Sequence, residues 1–350
     1  MGDGLHEWMR WLDDGLRINK ISIPGTHDSR ADRKFCNKLI FDFKDIMSVA
    51  AQEEILNFWG LKTGFTCDLM DLTGANFIQT QDLTLEYQLR HGIRFLDIRL
   101  RNTGHGFFNV NHGPVVLDYT FDDVLETVKN FLIANPTETV IISYQAELVR
   151  GTDFTNVFAG RVEKYKDYIY GGTNKNVYGR QFPTMRQVRK KIVFYNKQNS
   201  GNFGFGKDTA DIEDWDNNVN VETDDYYNAC ESHIQKSMAH NEDKFYTTYL
   251  SANNGAGGRA PRAVAWYVNS VMEYRLTELK ERAGPFGIVI MDFPSIELIR
   301  TILRKNDMGI IVSLLDRVLT PEQNIENKIC AIEKNSKTNY ITLQARQYQK

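Results

Sequence analysis

Short apolar runs rich in β-branched residues alternate with amphipathic segments along most of this 350-residue chain. Strand-like runs lie at 21–23, 93–100, 107–111, 140–144, 192–195, 245–250 and 288–291, with helical patterns at 82–90, 121–134 and 263–283. Strands that alternate with helices build parallel β/α units. About eight such units predict a single-domain α/β protein with a TIM-type (β/α) barrel.

Composition narrows the class of protein. Hydrophobic residues make up 42% of the chain and charged residues 25%, with a net charge of -3, which indicates a globular protein and argues against nucleic-acid binding. No stretch approaches the roughly 20 apolar residues of a membrane span. Residues 1–10 are polar and show no signal peptide, so a cytoplasmic and a secreted location both stay open. The four cysteines form no CxxC pair and are interpreted as buried free thiols: Cys36, Cys67, Cys230 and Cys330.

Two segments fit the β/α pattern poorly. Residues 30–81 are long for one connection and are interpreted as an insertion, with a helix near 45–58, that packs on the barrel; a lid and a membrane-docking element are the alternatives. Residues 199–227 are rich in Asn, Asp and Gly and are interpreted as a long loop. The catalytic barrel is expected to span residues 1–306, followed by a C-terminal extension over 307–350.

Ionisable and polar residues follow the predicted strands at their carboxyl ends, which is the catalytic face of such barrels. In chain order they are His27, Asp28, Asp97, Arg99, His112, Gln145, Glu147, Lys197 and Asp292. Two readings without a function stay open: Asp97 and Arg99 form a buried structural ion pair, or Asp292 caps a helix that begins near Pro294.

These residue types suit phosphoryl transfer without a metal ion. Two histidines can serve as general base and general acid in one displacement. An arginine offers a planar fork of donors that matches a phosphate, and carboxylates fix the tautomers of imidazoles. The set therefore predicts an enzyme in which a neighbouring hydroxyl attacks phosphorus and a cyclic phosphate forms.

Four motifs resemble those of the bacterial phosphatidylinositol-specific phospholipases C, the X-domain family. They are ISIPGTHDS at 21–29, FLDIR at 95–99, His112-Gly113-Pro114 with NPTET at 135–139, and IMDF at 290–293. The resemblance extends from about Trp8 to Asn306 outside the insertion. It implies a distorted, partly open barrel that cleaves phosphatidylinositol, or a glycosylphosphatidylinositol, to diacylglycerol and inositol 1,2-cyclic phosphate.

The resemblance also implies a role for each matching residue. His27 would be the base that accepts the inositol 2-hydroxyl proton, held by Asp292, and His112 the acid for the diacylglycerol oxygen. Arg99 would stabilise the phosphate beside Asp28, with Asp97 in the same network.

Substrate contacts carry over less completely. Glu147 and Lys197 match positions that bind inositol hydroxyls. One of Asp224 and Asp225, with Tyr226 or Tyr227, matches an inositol-binding pair in an ambiguous register. Gln145 stands where the family has a lysine, which puts the lipid preference in doubt.

Arg99 occupies the place where calcium-dependent relatives use acidic residues and a metal ion. The resemblance therefore implies no cofactor, with calcium as the alternative. The expected partners are an inositol lipid and a membrane surface contacted peripherally, for a monomeric protein. Other functions left open are cleavage of another inositol-bearing glycolipid, a metal-dependent glycerophosphodiester hydrolase, and a non-catalytic phosphoinositide-binding module.

Overall fold

The computed structural model describes residues 4–32, 78–113, 115–147, 153–179, 181–198, 203–215, 224–239, 242–252 and 260–306. The predicted helix near 45–58, three of the four cysteines, the glycine-rich 253–259 and the extension at 307–350 lie outside these residues. Cys230 is buried as a free thiol, in agreement with its interpretation.

Eight strands of the described part form a rolled, fully parallel sheet. With β3 and β4, which lie outside this parallel sheet, the described residues contain ten strands. In chain order they are β1 (Ile23–Thr26), β2 (Phe95–Asn102), β3 (Phe108–His112), β4 (Val115–Thr120), β5 (Thr139–Ala146), β6 (Lys191–Asn196), β7 (Phe205–Gly206), β8 (Ala210–Trp215), β9 (Phe245–Ala252) and β10 (Ile288–Met291). The sheet order is β7-β6-β5-β2-β1-β10-β9-β8, and each neighbouring pair on this path is parallel. The predicted barrel is confirmed.

The barrel has one seam without a hydrogen-bonded ladder in the described part of the chain, between β7 and β8. Residues 205–215 pair first with β6 and then with β9, because a single 3-10 turn, Lys207–Thr209, joins the two short strands. Aromatic rings pack beneath this seam, with Phe182 and Phe205 both against Phe245. The barrel is therefore partly open, as predicted.

The third predicted strand is not a barrel strand. Residues of β3 pair antiparallel with β2 and with β4, so that β2, β3 and β4 form an arm that rises from the barrel edge. Periodicity reveals a strand but not its direction, which is why the sequence placed β3 in the parallel series.

Helices cover the outside of the barrel. They are α1 (Leu85–Arg90), α2 (Phe121–Ala134), α3 (Phe154–Tyr165), α4 (Met185–Val188), α5 (Asp224–Ala239), α6 (Pro261–Leu279) and α7 (Ile296–Arg304). Helix α2 has its predicted bounds, because a capping box between Thr120 and Asp123 starts it and Asn135 ends it. Among the described residues, no helix has the length and apolar character needed to cross the bilayer.

One sequence interpretation needs correction. The expected loop at 199–227 contains β7, β8 and the start of α5, which the sequence hid because Asp211 and Glu213 alternate with partly buried Ile212. The two ends of the expected insertion, residues 30–32 and 78–81, are buried, and residues 33–77 lie outside the described residues.

A buried ion pair closes the amino-terminal end of the barrel. Arg94 donates to Glu138 Oε2 from Nε (3.0 Å) and Nη2 (2.8 Å), and both side chains are fully buried. The same guanidinium donates to the carbonyls of Leu89 and His6, and Met9 N–H donates to Glu138. This pair ties the N-terminal 3-10 helix, Leu5–Trp11, to β2 and β5.

We expect Arg94→Met to lower the free energy of unfolding by about 3–5 kcal/mol, because it leaves the Glu138 carboxylate buried without its partner. The matched control is Arg90→Met, which removes an exposed pair with Glu86 and is expected to cost about 1 kcal/mol or less. Urea unfolding of both variants measures the difference, and equal costs would contradict the anchoring role of Arg94.

Candidate active site

The first two site residues come from neighbouring parallel strands. Thr26 at the end of β1 is in register with Met291 at the end of β10, so the residues that follow, His27 and Asp292, emerge side by side. His27 Nδ1 lies 3.0 Å from Asp292 Oδ1. Burial lowers the pKa of His27, but the carboxylates of Asp28 and Asp292 outweigh it and raise the pKa to about 10.

The Asp28 carboxylate lies at the centre of the site and is buried. Its Oδ2 is 3.3 Å from Nε2 of His27 and 3.3 Å from Nε2 of His112, and its Oδ1 is 2.8 Å from Nε of Arg99. Burial alone would raise the pKa of Asp28, but Arg99 and the two imidazoles lower it to about 2. Asp28 is therefore ionised at any pH near neutrality.

His112 reaches the same carboxylate from the antiparallel arm. It is the last residue of β3, and its Nδ1 donates to the carbonyl of Ile78 (2.7 Å), which leaves Nε2 directed at Asp28. The ring centroids of the two histidines are 6.4 Å apart. Burial lowers the pKa of His112, and the positive charges of Arg99 and His27 add to this effect against the attraction of Asp28.

Arg99 extends from β2 into the space between the two histidines and Glu147, which follows β5. Its Nη2 is 3.0 Å from Nε2 of His27, and its Nη1 is 3.7 Å from Oε2 of Glu147. The Arg99 guanidinium thus contacts both the imidazole of His27 and the carboxylate of Asp28. It could bind one face of a phosphate through its planar fork.

The remaining residues predicted after β2 and β5 lie in the adjacent part of the site. Asp97 is buried and accepts a hydrogen bond from Ser143 (3.1 Å), its register partner on β5. Gln145 is the register partner of Arg99, and its amide hydrogen-bonds Glu147. Burial raises the pKa of Glu147 to about 7, although Arg99 pulls it down.

Lys197, Asp214 and Tyr249 form a group of which the sequence identified only Lys197. Its Nζ lies 2.9 Å from Oδ2 of Asp214 and 4.0 Å from the ring centroid of Tyr249, and the Tyr249 ring is 6.1 Å from that of His27. Burial lowers the pKa of Lys197, but Tyr249, Asp97 and Asp214 raise it well above its ordinary value. The sequence could have identified Tyr249 as well, because it lies in the carboxyl half of β9, a strand that was predicted.

The Asp and Tyr predicted to bind inositol among residues 224–227 lie on α5, whereas the other predicted site residues lie in or directly after strands. Asp225 is exposed on the first turn of α5, whereas Tyr226 is buried with its hydroxyl donating to the carbonyl of Tyr249 (3.3 Å). Tyr227 is buried under Arg275. The side chain of Asp224 lies outside the described residues. The acidic side chain that β8 brings to Lys197 is Asp214, which the sequence interpretation had assigned to a loop.

Two imidazoles, an arginine and a buried carboxylate at the carboxyl edge of a (β/α) barrel form an acid–base site for an anionic substrate, the arrangement of a phosphodiesterase. Among the described residues, no group of three or more His, Cys, Asp or Glu side chains is placed to hold a metal ion.

Known proteins share this architecture. Residues 71–198 match the family model for the phosphatidylinositol-specific phospholipase C X domain. A 1-phosphatidylinositol phosphodiesterase of Listeria monocytogenes is 29% identical over 311 residues, covering 86% of this chain and 84% of that protein. A protein of the same name from Staphylococcus aureus is 27% identical over 278 residues, covering 71% and 75%.

Solved structures agree. The phosphatidylinositol-specific phospholipase C of Listeria monocytogenes superposes with a TM-score of 0.64 at 27% identity, covering 86% of this chain and 98% of that one. An enzyme structure from Staphylococcus aureus, at 20% identity, shares the fold with a TM-score of 0.63. The resemblance seen in the four motifs is confirmed: the chain is similar to the bacterial phosphatidylinositol-specific phospholipases C in sequence and in fold.

Glu147 generates a pH-dependent prediction. Its pKa is raised in the folded protein from 4.5 to about 7, so its contribution to stability is complete below pH 4.5 and is lost as pH rises through 7. We expect the free energy of unfolding of the native protein, measured relative to that of Glu147→Gln, to fall by on the order of 3 kcal/mol across this window. Urea titrations at several pH values measure it; a constant difference would contradict the raised pKa.

Proposed function

We propose that this protein is a phospholipase C that cleaves the phosphodiester of phosphatidylinositol by attack of the inositol 2-hydroxyl, releasing diacylglycerol and inositol 1,2-cyclic phosphate. The observation that carries the proposal is the placement of His27 and His112 around one buried carboxylate, that of Asp28, beside the Arg99 guanidinium. Their Nε2 atoms both face Asp28, and their ring centroids are 6.4 Å apart. One imidazole can face the attacking oxygen while the other faces the leaving oxygen of the same phosphorus.

The relatives support the choice of substrate. Two curated relatives are named 1-phosphatidylinositol phosphodiesterases, and this chain covers 84% and 75% of their lengths. They come from two bacterial genera. Such lipids reside in bilayers, so the reaction proposed here requires peripheral contact between the protein and a membrane surface.

In the proposed reaction, His27 Nε2 takes the proton of the 2-hydroxyl as that oxygen bonds to phosphorus. The bond from phosphorus to the glycerol oxygen breaks, and His112 Nε2–H supplies the proton to that oxygen. Asp292 holds Nδ1 of His27 at 3.0 Å, which keeps Nε2 directed at the substrate. Arg99 stabilises the charge that develops on the non-bridging oxygens.

The protonation of the unliganded site has a consequence for this cycle. With a raised pKa for His27 and a lowered pKa for His112, the free site carries its proton on His27. A bound phosphodiester adds negative charge beside His112 and favours its protonation. Asp28 Oδ2, 3.3 Å from both Nε2 atoms, offers a route for that proton between the two rings.

The inositol ring is proposed to bind beside the acid–base pair, on Lys197 with Asp214 and on Glu147 with Gln145. These groups offer both donors and acceptors for ring hydroxyls around the Tyr249 side chain. We further propose that no metal ion takes part, because the Arg99 guanidinium beside Asp28 supplies the positive charge that a cation would otherwise provide.

Phosphorus NMR of phosphatidylinositol micelles incubated with the protein in excess EDTA tests the proposal. The expected result is the signal of a five-membered cyclic inositol phosphate. Rescue of an inactive sample by calcium would overturn metal independence. No new signal with or without calcium would overturn phosphatidylinositol as substrate and favour a different lipid at Gln145 or a binding function.

We expect His27→Ala and His112→Ala each to lower kcat by about 10²- to 10⁴-fold, since each removes one proton-transfer group. The matched control is His91→Ala, because His91 caps the C-terminus of α1, where its Nδ1 donates to the carbonyl of Tyr87 and its ring lies beside the Tyr87 ring. Turnover measured on folded samples makes the comparison. Near-normal turnover in either variant would contradict the assigned role.

Replacing Arg99 by lysine is expected to lower kcat by roughly 10²-fold, because an ammonium cannot reproduce the planar fork at a developing phosphate charge. Arg161→Lys, at a surface pair with Asp122, serves as the control for the same chemical change. If Arg99→Lys kept full activity, the phosphate-binding role of the guanidinium would be wrong.

A further inference from the structure

Residues 78–81 form a short buried segment, Ile78-Gln79-Thr80-Gln81, that contacts the backbone beside three of the site residues. It runs next to Ala31, whose carbonyl accepts from the N–H groups of Thr80 and Gln81, both at 3.1 Å. Gln79 Nε2 donates back to the Gln81 carbonyl (2.9 Å), which braces the segment internally. Thr80 and Gln81 are 0% and 1% exposed.

Side chains of this segment hold the turn that carries His27. Thr80 Oγ1 donates to the carbonyls of His27 (3.2 Å) and Asp28 (3.0 Å). Gln81 Nε2 donates to the carbonyl of His27 (2.8 Å) and to that of Met291 (3.1 Å). One amide thus bridges the carbonyl of His27 and the carbonyl of Met291, the residue directly before Asp292.

The segment also holds the other two turns. The carbonyl of Thr80 accepts from Phe293 N–H (2.9 Å), directly after Asp292. The carbonyl of Ile78 accepts from His112 Nδ1–H (2.7 Å) and so fixes the tautomer that directs Nε2 at Asp28. A single four-residue segment therefore hydrogen-bonds to the backbone of the proposed base His27, to the residue after its partner Asp292 and to the ring of the proposed acid His112.

Backbone strain explains why such support is needed. Asp28 and Phe293 adopt left-handed φ angles of 39° and 44°, which side chains other than glycine rarely do. Asp28 is itself a site residue, and Phe293 directly follows Asp292. The Asp28 carbonyl accepts from Thr80 Oγ1, and Phe293 N–H donates to the Thr80 carbonyl. Without these bonds, we expect the turn at Asp28 to relax toward ordinary backbone angles and to carry His27 with it, whereas the turn at Phe293 is also held by Asn269 Nδ2.

We infer that Thr80 and Gln81 are positioning residues for the acid–base pair, acting through the backbone of the two strained turns rather than on the substrate. This inference rests on the proposed function for its effect on turnover, but its effect on the histidines is independent of any substrate. A displacement of about 1 Å in such a site can cost about 10²-fold in rate.

The test compares Thr80→Val, which removes the hydroxyl at nearly constant volume, with Thr80→Ser, which restores it. Thr139→Val is the matched control, because Thr139 is also buried and its hydroxyl donates to a carbonyl, that of Lys191, at the opposite end of the barrel. We expect Thr80→Val to lower kcat about 10- to 100-fold with KM little changed, and Thr80→Ser and Thr139→Val to stay near the native value.

Histidine NMR titration of isotope-labelled protein supplies the readout that does not need turnover. In Thr80→Val the titration midpoint of His27 should fall, because the ring moves away from the carboxylates that raise its pKa. In Thr139→Val it should not move. Native titrations and native kcat in Thr80→Val would overturn the inference.

Two further outcomes are distinguishable. If the native protein shows no phosphatidylinositol cleavage but Thr80→Val still shifts the His27 midpoint, the proposed function fails and the positioning role stands. If Thr80→Val does not fold, Gln81→Met replaces it, because this variant removes the amide that bonds the carbonyls of His27 and Met291. An unchanged titration midpoint of His27 in Gln81→Met would overturn the inference.

Discussion

The Asp28 carboxylate is buried among three groups that can carry positive charge, and the rest of the site follows from its need for compensation. A buried ionised carboxylate is costly unless its oxygens are paired. Arg99 pairs with one oxygen, and the imidazoles of His27 and His112 face the other. The pairing holds Asp28 ionised and draws both histidines to one point, so electrostatic stability and catalytic geometry depend on the same contact.

Parallel topology explains most of this convergence. Neighbouring parallel strands end at the same edge, so β1, β2, β5, β6 and β10 place their following residues on one face without long loops. His112 is the exception because it arrives on an antiparallel arm. Its position depends on the hairpin register and on the Ile78 carbonyl, and not on the barrel itself. The acid is thus carried by a different strand arrangement from the base, although residues 78–81 hydrogen-bond to both.

The sequence predicted the barrel and the edge at which the proposed acid–base residues meet, and the reasons are local. Period-two alternation around Asp97 and Arg99 and the apolar run before Asp292 are strong signals that burial preserves. Asp214 escaped because β8 is short, polar on one face and preceded by a glycine-rich stretch. Thr80 and Gln81 escaped because they act through backbone carbonyls, and no side-chain pattern encodes which carbonyl an amide will reach. The antiparallel direction of β3 is likewise absent from periodicity.

The seam between β7 and β8 has a consequence of its own. Everywhere else in the described barrel, a ladder of backbone hydrogen bonds fixes the distance between neighbouring strands, but here the covalent chain through residues 207–209 makes the link. The girth of the barrel at that point is therefore set by how many residues the turn contains. Lengthening or shortening this turn would change the width of the ring directly, whereas a change in any outer loop would leave it intact.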